Sequence, residues 1–573
     1  MRRLQSQWLE PSLLATGGLI CSRFAQSPVA SSFAAVHAGK ALAMQQLSLV
    51  YGLAFGLLAI GSYLLARKGA SLWSVVVGEC KAAAVQSRAA QEVRAGADRL
   101  VLYAALLIGG GLRAFFLSQP MRYDESVTFL NFADGGFFKA FLYQSPNNHV
   151  LNSLLEKFSC MVAGSNPWAI RLPAFTAGMA LIVATAAVCR RFSQGRGGSL
   201  AALGLAAMPF MVLFSTSGRG YALLALIVVL AIHCSLSSDG KQVSRRWGLA
   251  AVLSALGMLV MPSMLYAIAG ICVWIFTSIV LETRSLKDAL NFLIPYLATT
   301  AITTILLYTP VVLVSGGFAP VVSNRFIRPI EGNLFLAEMF PHIGQTVHDF
   351  LRDIPDAVVI SVAFAAIAGI VMAIRDRNFA LALLLPALLV GSMLLFVVKR
   401  SLPFTRTWIY LIPIALISAD AAFTRLCRHL APRTQKVVVS GICITSAALA
   451  FKLAASNAIL AYPDTGIFPD AEAVAARLAP LISRGDVVCA EQPADVPIAY
   501  YLWRAVRPAE YASRQRADRK FFVQIRPLFG TAFARPAGNV LASEESYILY
   551  EWTDASEMIV RSTCWSPSLQ AGA

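Results

Sequence analysis

The chain has 573 residues, 57% hydrophobic and only 14% charged, with a net charge of +17 and a mean hydropathy of +0.64. Soluble domains carry about 25% charged residues, so a wholly water-soluble protein is excluded and a polytopic membrane protein with a soluble module is implied. The Lys and Arg residues sit in short loops between apolar runs, which reads as membrane topology and headgroup contact rather than nucleic-acid binding.

Residues 1–45 hold Arg2, Arg3 and a short apolar patch near 13–20. A signal-like segment, a disordered arm and an overlong start all fit, and no function follows from it. A first apolar run at 47–66 precedes the basic stretch 67–99, and 100–117 then leads into Arg122-Tyr123-Asp124-Glu125. Further runs lie at 170–188, 200–214, 221–236, 249–260, 265–281, 290–308, 357–374, 379–398, 408–422 and 437–455, making twelve candidate spans. The parity of the loop charges requires the segment 150–162 not to cross; its Asn152, Glu156 and Lys157 suit an amphipathic helix at the interface. The segment 310–356, rich in Pro, Gly, Asn, His and Phe, reads as a long loop in which His342 and His348 are candidate ligands or simply solvated.

Loop charge sets orientation. One side carries the 67–99 stretch, then Arg190, Arg191, Arg196, then Lys241, Arg245, Arg246, then Arg284, Lys287, then Arg375, Arg377, then Arg425, Arg428, Arg433, Lys436. By the positive-inside rule that side is cytoplasmic. The opposite side then holds the Asp124 loop, Ser217-Gly218-Arg219-Gly220-Tyr221, Met261-Pro262-Ser263, 310–356, 399–407 and the C-terminal tail. From about Tyr462 the composition changes. Helices are expected at 470–479 and 496–503, and strands at 487–490, 521–525 and 547–552, as in a small α/β module. Three domains follow: an N-terminal segment 1–98 with one extra span, a membrane domain 99–456 and an extracytoplasmic α/β domain 457–573. The ten cysteines show no metal-binding spacing. Cys489 and Cys564 form a candidate disulfide, although two unrelated thiols fit their spacing equally well.

The polar chemistry gathers on the outer face. Asp124 and Glu125 follow a span closely, where carboxylates are costly unless wetted, paired or used. One can act as general base toward a hydroxyl, with the other orienting it or helping to hold a divalent metal ion through hard oxygen ligands; a plain helix cap also fits. Asn148 and His149, in Pro146-Asn147-Asn148-His149, are candidate contacts for sugar hydroxyls. Arg171, Arg219, Lys399, Arg400 and Arg406 lie at outer span ends, where they either bind phosphate or snorkel. Gly218 and Gly220 flank Arg219 and let the backbone approach closely.

In their order, Arg122-Tyr123-Asp124-Glu125, Pro146-Asn147-Asn148-His149, Arg171-Leu172-Pro173, Ser217-Gly218-Arg219-Gly220-Tyr221 and Thr405-Arg406-Thr407-Trp408 resemble the GT-C superfamily of membrane glycosyltransferases. The similarity is to the branch of protein O-mannosyltransferases and lipid A aminoarabinose transferases. It implies a GT-C-like bundle of eleven or twelve transmembrane helices with a small extracytoplasmic α/β domain. It implies transfer of a sugar from a polyprenyl-phosphate carrier to a hydroxyl of a lipid, glycan or protein at the outer face of a bacterial inner membrane. On that resemblance Asp124 is the base and Glu125 its partner. Substrate contacts fall to Arg122, Tyr123, Asn148, His149, Arg171, Arg219, Tyr221, Lys399, Arg400 and Arg406. The chain departs from the family where a Lys-Pro-Pro-Leu-like element is replaced by Pro-Asn-Asn-His, and in its extra span near 47–66. No motif assigns a cofactor with certainty, and a divalent metal ion is the one candidate. The rival classes are a transporter or flippase for an anionic lipid-linked substrate, disfavoured by unusual charges at one face and by the lack of internal repeats, and a non-catalytic membrane scaffold.

Overall fold

The computed structural model describes residues 41–66 and 97–506 apart from breaks at 238–239, 241, 244–246, 324–326 and 484–485, the segments 519–525, 538–544, 547–552 and 562–565, and isolated positions between 12 and 19. The N-terminal patch and most of the basic 67–99 stretch lie outside the described residues.

The helices run α1 (Ala41–Ala66), α2 (Ala97–Leu117), α3 (Tyr123–Thr128), α4 (Val150–Ala163), α5 (Pro167–Phe192), α6 (Ser199–Ala207), α7 (Pro209–Ser215), α8 (Tyr221–Ser235), α9 (Gly248–Val260), α10 (Met264–Thr283), α11 (Leu286–Ser315), α12 (Gly332–Leu351), α13 (Asp356–Arg375), α14 (Leu384–Lys399), α15 (Leu411–His429), α16 (Pro432–Ala455), α17 (Ala471–Leu478) and α18 (Asp495–Ala505). Each of the twelve apolar runs is helical, so the chain is a multi-pass membrane protein. Among the described residues six helices are long and apolar enough to span a bilayer by length and composition, and α8, α9 and α14 are shorter apolar helices. The extra helix α1 packs Ala43 and Leu47 against Val312 of α11. Gln46 accepts a hydrogen bond from the Phe318 N–H at 3.0 Å, and Tyr51 pairs with Thr309.

The run 200–214 is broken at Met208-Pro209 into α6 and α7. Proline has no N–H for the carbonyl four residues back, and an orphan carbonyl in an apolar bundle is costly. Arg113, on α2 and fully buried, meets that need. Its guanidinium donates to Leu205 O at 3.0 Å and Ala206 O at 2.9 Å.

Two segments differ from expectation. The 310–356 region contains the 20-residue helix α12, because its apolar residues recur at helical spacing and bury Phe335. The interfacial helix α4 is inverted relative to a soluble amphipathic helix. Asn152, Glu156 and Lys157 are buried, while Phe158, Met161 and Val162 are exposed.

The C-terminal module adds strands β1 (Val487–Glu491), β2 (Lys520–Ile525), β3 (Gly538–Ser543), β4 (Tyr547–Trp552) and β5 (Ser562–Trp565) in the sheet order β3-β4-β2-β1-β5. Only β1 and β2 are parallel. Cys489 is disulfide-bonded, and Cys564 is its direct cross-strand neighbour. Helix α18 docks the module on the first loop. Tyr501 Oη accepts from Met121 N at 3.1 Å, and Phe129 packs edge-on against Tyr500 and Trp503.

Replacing Arg113 by Met should strand the carbonyls of the Pro209 break. We expect a loss of roughly 2–4 kcal/mol, read as a lower thermal midpoint of the detergent-solubilised protein, with expression in the membrane retained.

Candidate active site

Two adjacent acids take opposite roles. Glu125 is fully buried. Its Oε1 accepts from Arg122 N at 2.8 Å and from Arg171 Nη2. Its Oε2 accepts from Arg171 Nε at 3.0 Å and Gly218 N at 2.6 Å. Burial alone would raise its pKa, but Arg171 and these hydrogen bonds outweigh that and hold the carboxyl below its usual value. Arg171 spends its remaining donors on the carbonyls of Leu117, Gln119 and Pro120. Glu125 thus staples the first loop to α5 and to the 217–220 loop. A side chain on Gly218 would meet Ile170 at 2.9 Å and Glu156 at 3.0 Å, so only glycine brings its N–H within reach.

Asp124 points the other way and is partly exposed. Its Oδ2 accepts from Arg406 Nη2 at 3.0 Å. Its backbone is fixed from two sides. Asp124 N donates to Thr465 O at 3.1 Å, and Asp124 O lies 3.3 Å from Asn147 Nδ2 and 3.4 Å from Arg219 Nη1. Arg406 completes the group: Nε donates to Tyr221 Oη at 2.8 Å and Nη1 to Asp464. Burial works against its charge, yet Tyr221, Asp464 and Asp124 prevail and hold its pKa above normal.

Of the sequence-derived candidates, the structure gathers Asp124, His149, Arg219, Tyr221 and Arg406. Arg219 donates to Thr128 Oγ1 at 2.6 Å and Asn147 O at 2.8 Å. The Tyr221 ring lies 5.8 Å from the Arg219 guanidinium and 5.7 Å from that of Arg406. His149 Nδ1 accepts from Gly220 N at 2.9 Å, and Nε2 lies 3.2 Å from Arg219 Nη2. Burial, then the charges of Arg219 and Arg406, lower its pKa well below normal and keep the ring neutral. Tyr123 borders the group, its N–H donating to Gly466 O at 3.0 Å and its hydroxyl accepting from Gln492 at 3.3 Å.

The other candidates stand apart from this group, Arg122 and Asn148 by burial and Lys399 and Arg400 by position. Arg122 is fully buried and donates to the carbonyls of Ile459, Leu460, Tyr462 and Asp464; desolvation pulls its pKa down to about 10. Asn148 is buried, donating to Ala140 O and Leu142 O at 2.9 Å and accepting from Ser153. Lys399 and Arg400 are exposed at the end of α14. Lys399 Nζ lies 5.5 Å from the Tyr266 ring centre, and neither residue contacts the Asp124 group among the described residues.

Asp464 and Thr128 carry no signal in the sequence, and Glu156 reads there only as a polar residue of an amphipathic helix. Asp464 lies 340 residues from Asp124 and reaches the site only because the chain folds back after α16. Glu156 is fully buried, with Oε1 accepting from Asn152 at 2.7 Å and Oε2 without a partner. Burial, then the charge on Glu125, raise its pKa well above normal. Among the described residues no three His, Cys, Asp or Glu side chains gather as a metal-ligand set, and the two acids that meet, Asp124 and Asp464, are bridged by Arg406.

The two buried acids predict opposite responses. The depressed Glu125 pKa contributes stability that is present above about pH 4.3 and lost as pH falls through the folded value. Glu125→Gln should cost roughly 3–5 kcal/mol by stranding Arg171. The elevated Glu156 pKa contributes stability that is full below about pH 4.3 and lost as pH rises. Glu156→Gln should therefore raise the thermal midpoint at pH 8 and change it less at pH 5, as read by a melting series from pH 5 to 8.

Residues 150–312 match the family model of dolichyl-phosphate-mannose-protein mannosyltransferases. The structure resembles ArnT from Cupriavidus metallidurans bound to undecaprenyl phosphate, with TM-score 0.53 and 13% identity over 79% of this chain and 97% of that one. The apo state of the same protein gives 0.51 and 14% over the same shares. No curated protein matches the chain in sequence. Fold and matched segment together identify the chain as a membrane protein with the GT-C glycosyltransferase fold.

Proposed function

We propose that this protein is a glycosyltransferase that moves a sugar from a polyprenyl-phosphate carrier to a hydroxyl acceptor at the outer face of a bacterial inner membrane. The observation that carries the reading is the Asp124–Arg406 pair: a partly open carboxylate beside a guanidinium held only by side chains. The matched family and the neighbour that holds undecaprenyl phosphate support the choice of donor.

The acceptor oxygen attacks the sugar carbon that bears phosphate. Its proton passes to Asp124 as the bond forms. The bond from carbon to the phosphate oxygen breaks on the opposite side, its electrons stay on the phosphate, and configuration inverts. Arg406 stabilises that charge with a forked set of N–H donors. Arg219 fixes the Asp124 backbone and adds positive potential, and the neutral His149 ring and Tyr221 shape the wall.

The carrier has a place to lie. A mostly apolar groove of about 1260 Å³ runs between α12, α13, α14 and α15, with Phe350, Met393, Phe396 and Trp408 in its lining. Trp408, in the groove lining, is two residues from Arg406 in the chain, and on this reading the isoprenoid lies there with its phosphate toward the guanidinium. The charged groups cluster at one end of the bundle, which fits transfer at a surface better than passage through the membrane. The C-terminal module lies on the same face, where an oxidising compartment suits the disulfide-bonded Cys489. If a divalent ion takes part, Asp124 and Asp464 are the oxygen donors nearest the reacting centre, and Arg406 must yield to it.

The test is transfer from radiolabelled polyprenyl-phosphate sugars by the purified protein in lipid. Asp124→Asn should lower turnover by roughly 10²–10⁴-fold while the melting temperature stays near wild type. Near-normal turnover in that variant would remove Asp124 as the base.

A further inference from the structure

Four buried guanidiniums surround the first loop, and three are tied into the backbone. Arg122 holds the carbonyls of 459–464, Arg171 those of 117–120, and Arg219 that of Asn147. Arg406 differs: its described partners are Tyr221, Asp124 and Asp464, all side chains. Its contacts can be exchanged without unravelling any backbone.

Two carboxylates already share this one cation. A further anion cannot join them without strong like-charge repulsion, so one carboxylate must leave when a phosphate arrives. Asp124 is fixed through its carbonyl by Thr128, Asn147 and Arg219, three groups outside the turn that carries Asp464. Asp464 sits in the turn 463–466, and its side chain is 25% exposed, which gives it a way out.

That turn is loaded. Thr465, a β-branched residue, has φ of +74°, a left-handed conformation that such residues rarely adopt. Thr465 Oγ1 and Asp464 Oδ2 are both buried without a hydrogen-bond partner. Backbone strain and unsatisfied polar atoms persist only where the surroundings enforce them, and they gather at functional sites. Here the enforcing contacts are Arg406 on the Asp464 side chain, Arg122 on Asp464 O, and the Tyr123 and Asp124 N–H groups on Gly466 O and Thr465 O.

We propose that the Asp464 carboxylate is the resting occupant of an anion subsite on the Nη1 edge of Arg406, and that a lipid-linked phosphate binds by displacing it. The proposal rests on the donor reading above. Binding then moves Arg406 from two acids to one acid and one phosphate, and the turn relaxes away from the site. The cost of that exchange is offset by release of the strained Thr465.

The test is a titration of the full-length protein in nanodiscs with undecaprenyl phosphate, read by native mass spectrometry, with inorganic phosphate as a second arm. Asp464→Asn removes the competing charge and should bind the lipid phosphate roughly tenfold more tightly. Thr465→Gly eases the resting turn and should bind more weakly than wild type. Arg406→Gln should lose binding. Inorganic phosphate should follow the same order at far weaker affinity; equal affinity for the free anion would overturn the lipid assignment. Unchanged or weaker binding by Asp464→Asn overturns the exchange, as does tighter or unchanged binding by Thr465→Gly. A wild-type protein that neither binds the lipid phosphate nor transfers sugar removes the donor reading itself, whereas one that binds and transfers but shows the reverse variant order removes only the role of Asp464.

Discussion

The buried pair between Glu125 and Arg171 is the constraint on which the Asp124 end of the bundle depends. A carboxylate and a guanidinium at zero exposure are tolerable only when each remaining polar atom finds a partner. Both Glu125 oxygens do, and their partners come from three separate segments: the start of α3, the middle of the first loop's anchor on α5, and the Gly218 loop. Removing the charge pair would detach all three at once. Because Glu125 is turned inward, its neighbour Asp124 is turned outward. Adjacent acids on one helical turn point in different directions, and here that separates a fully buried ion from a partly exposed one.

The arginines show a similar division. Arg122, Arg171 and Arg219 are as deeply buried as any hydrophobic residue. They act as fasteners, gathering carbonyls of irregular backbone that neither water nor regular helix satisfies. Only Arg406 is held by groups that can leave. Burial alone would not have separated them; the nature of their partners does.

Hydropathy made the membrane region legible: every apolar run became a helix, and loop polarity placed Asp124, Arg219 and Arg406 at one end before any coordinates. What it could not supply was depth. The sequence put Arg122, Arg171 and Asn148 beside substrate, whereas they are spent on internal carbonyls. Pro341, Gly344 and scattered polar residues mask the helical spacing of 332–351, so the sequence of α12 reads as loop. In the module, β3 and β5 escaped notice because Gly538–Ser543 and Ser562–Trp565 lack a strong alternating pattern. Asp464 was invisible for a different reason: a Pro-Asp-Thr-Gly turn announces a bend and nothing about what the bend will meet.

Helix α4 carries the site's polar support on its inner face and presents Phe158, Met161 and Val162 outward. An apolar face turned outward over a polar inner face braces Asp124 through the adjoining Asn147, whose amide lies against the Asp124 carbonyl. The setting of that loop is thereby coupled to whatever rests against Phe158, Met161 and Val162.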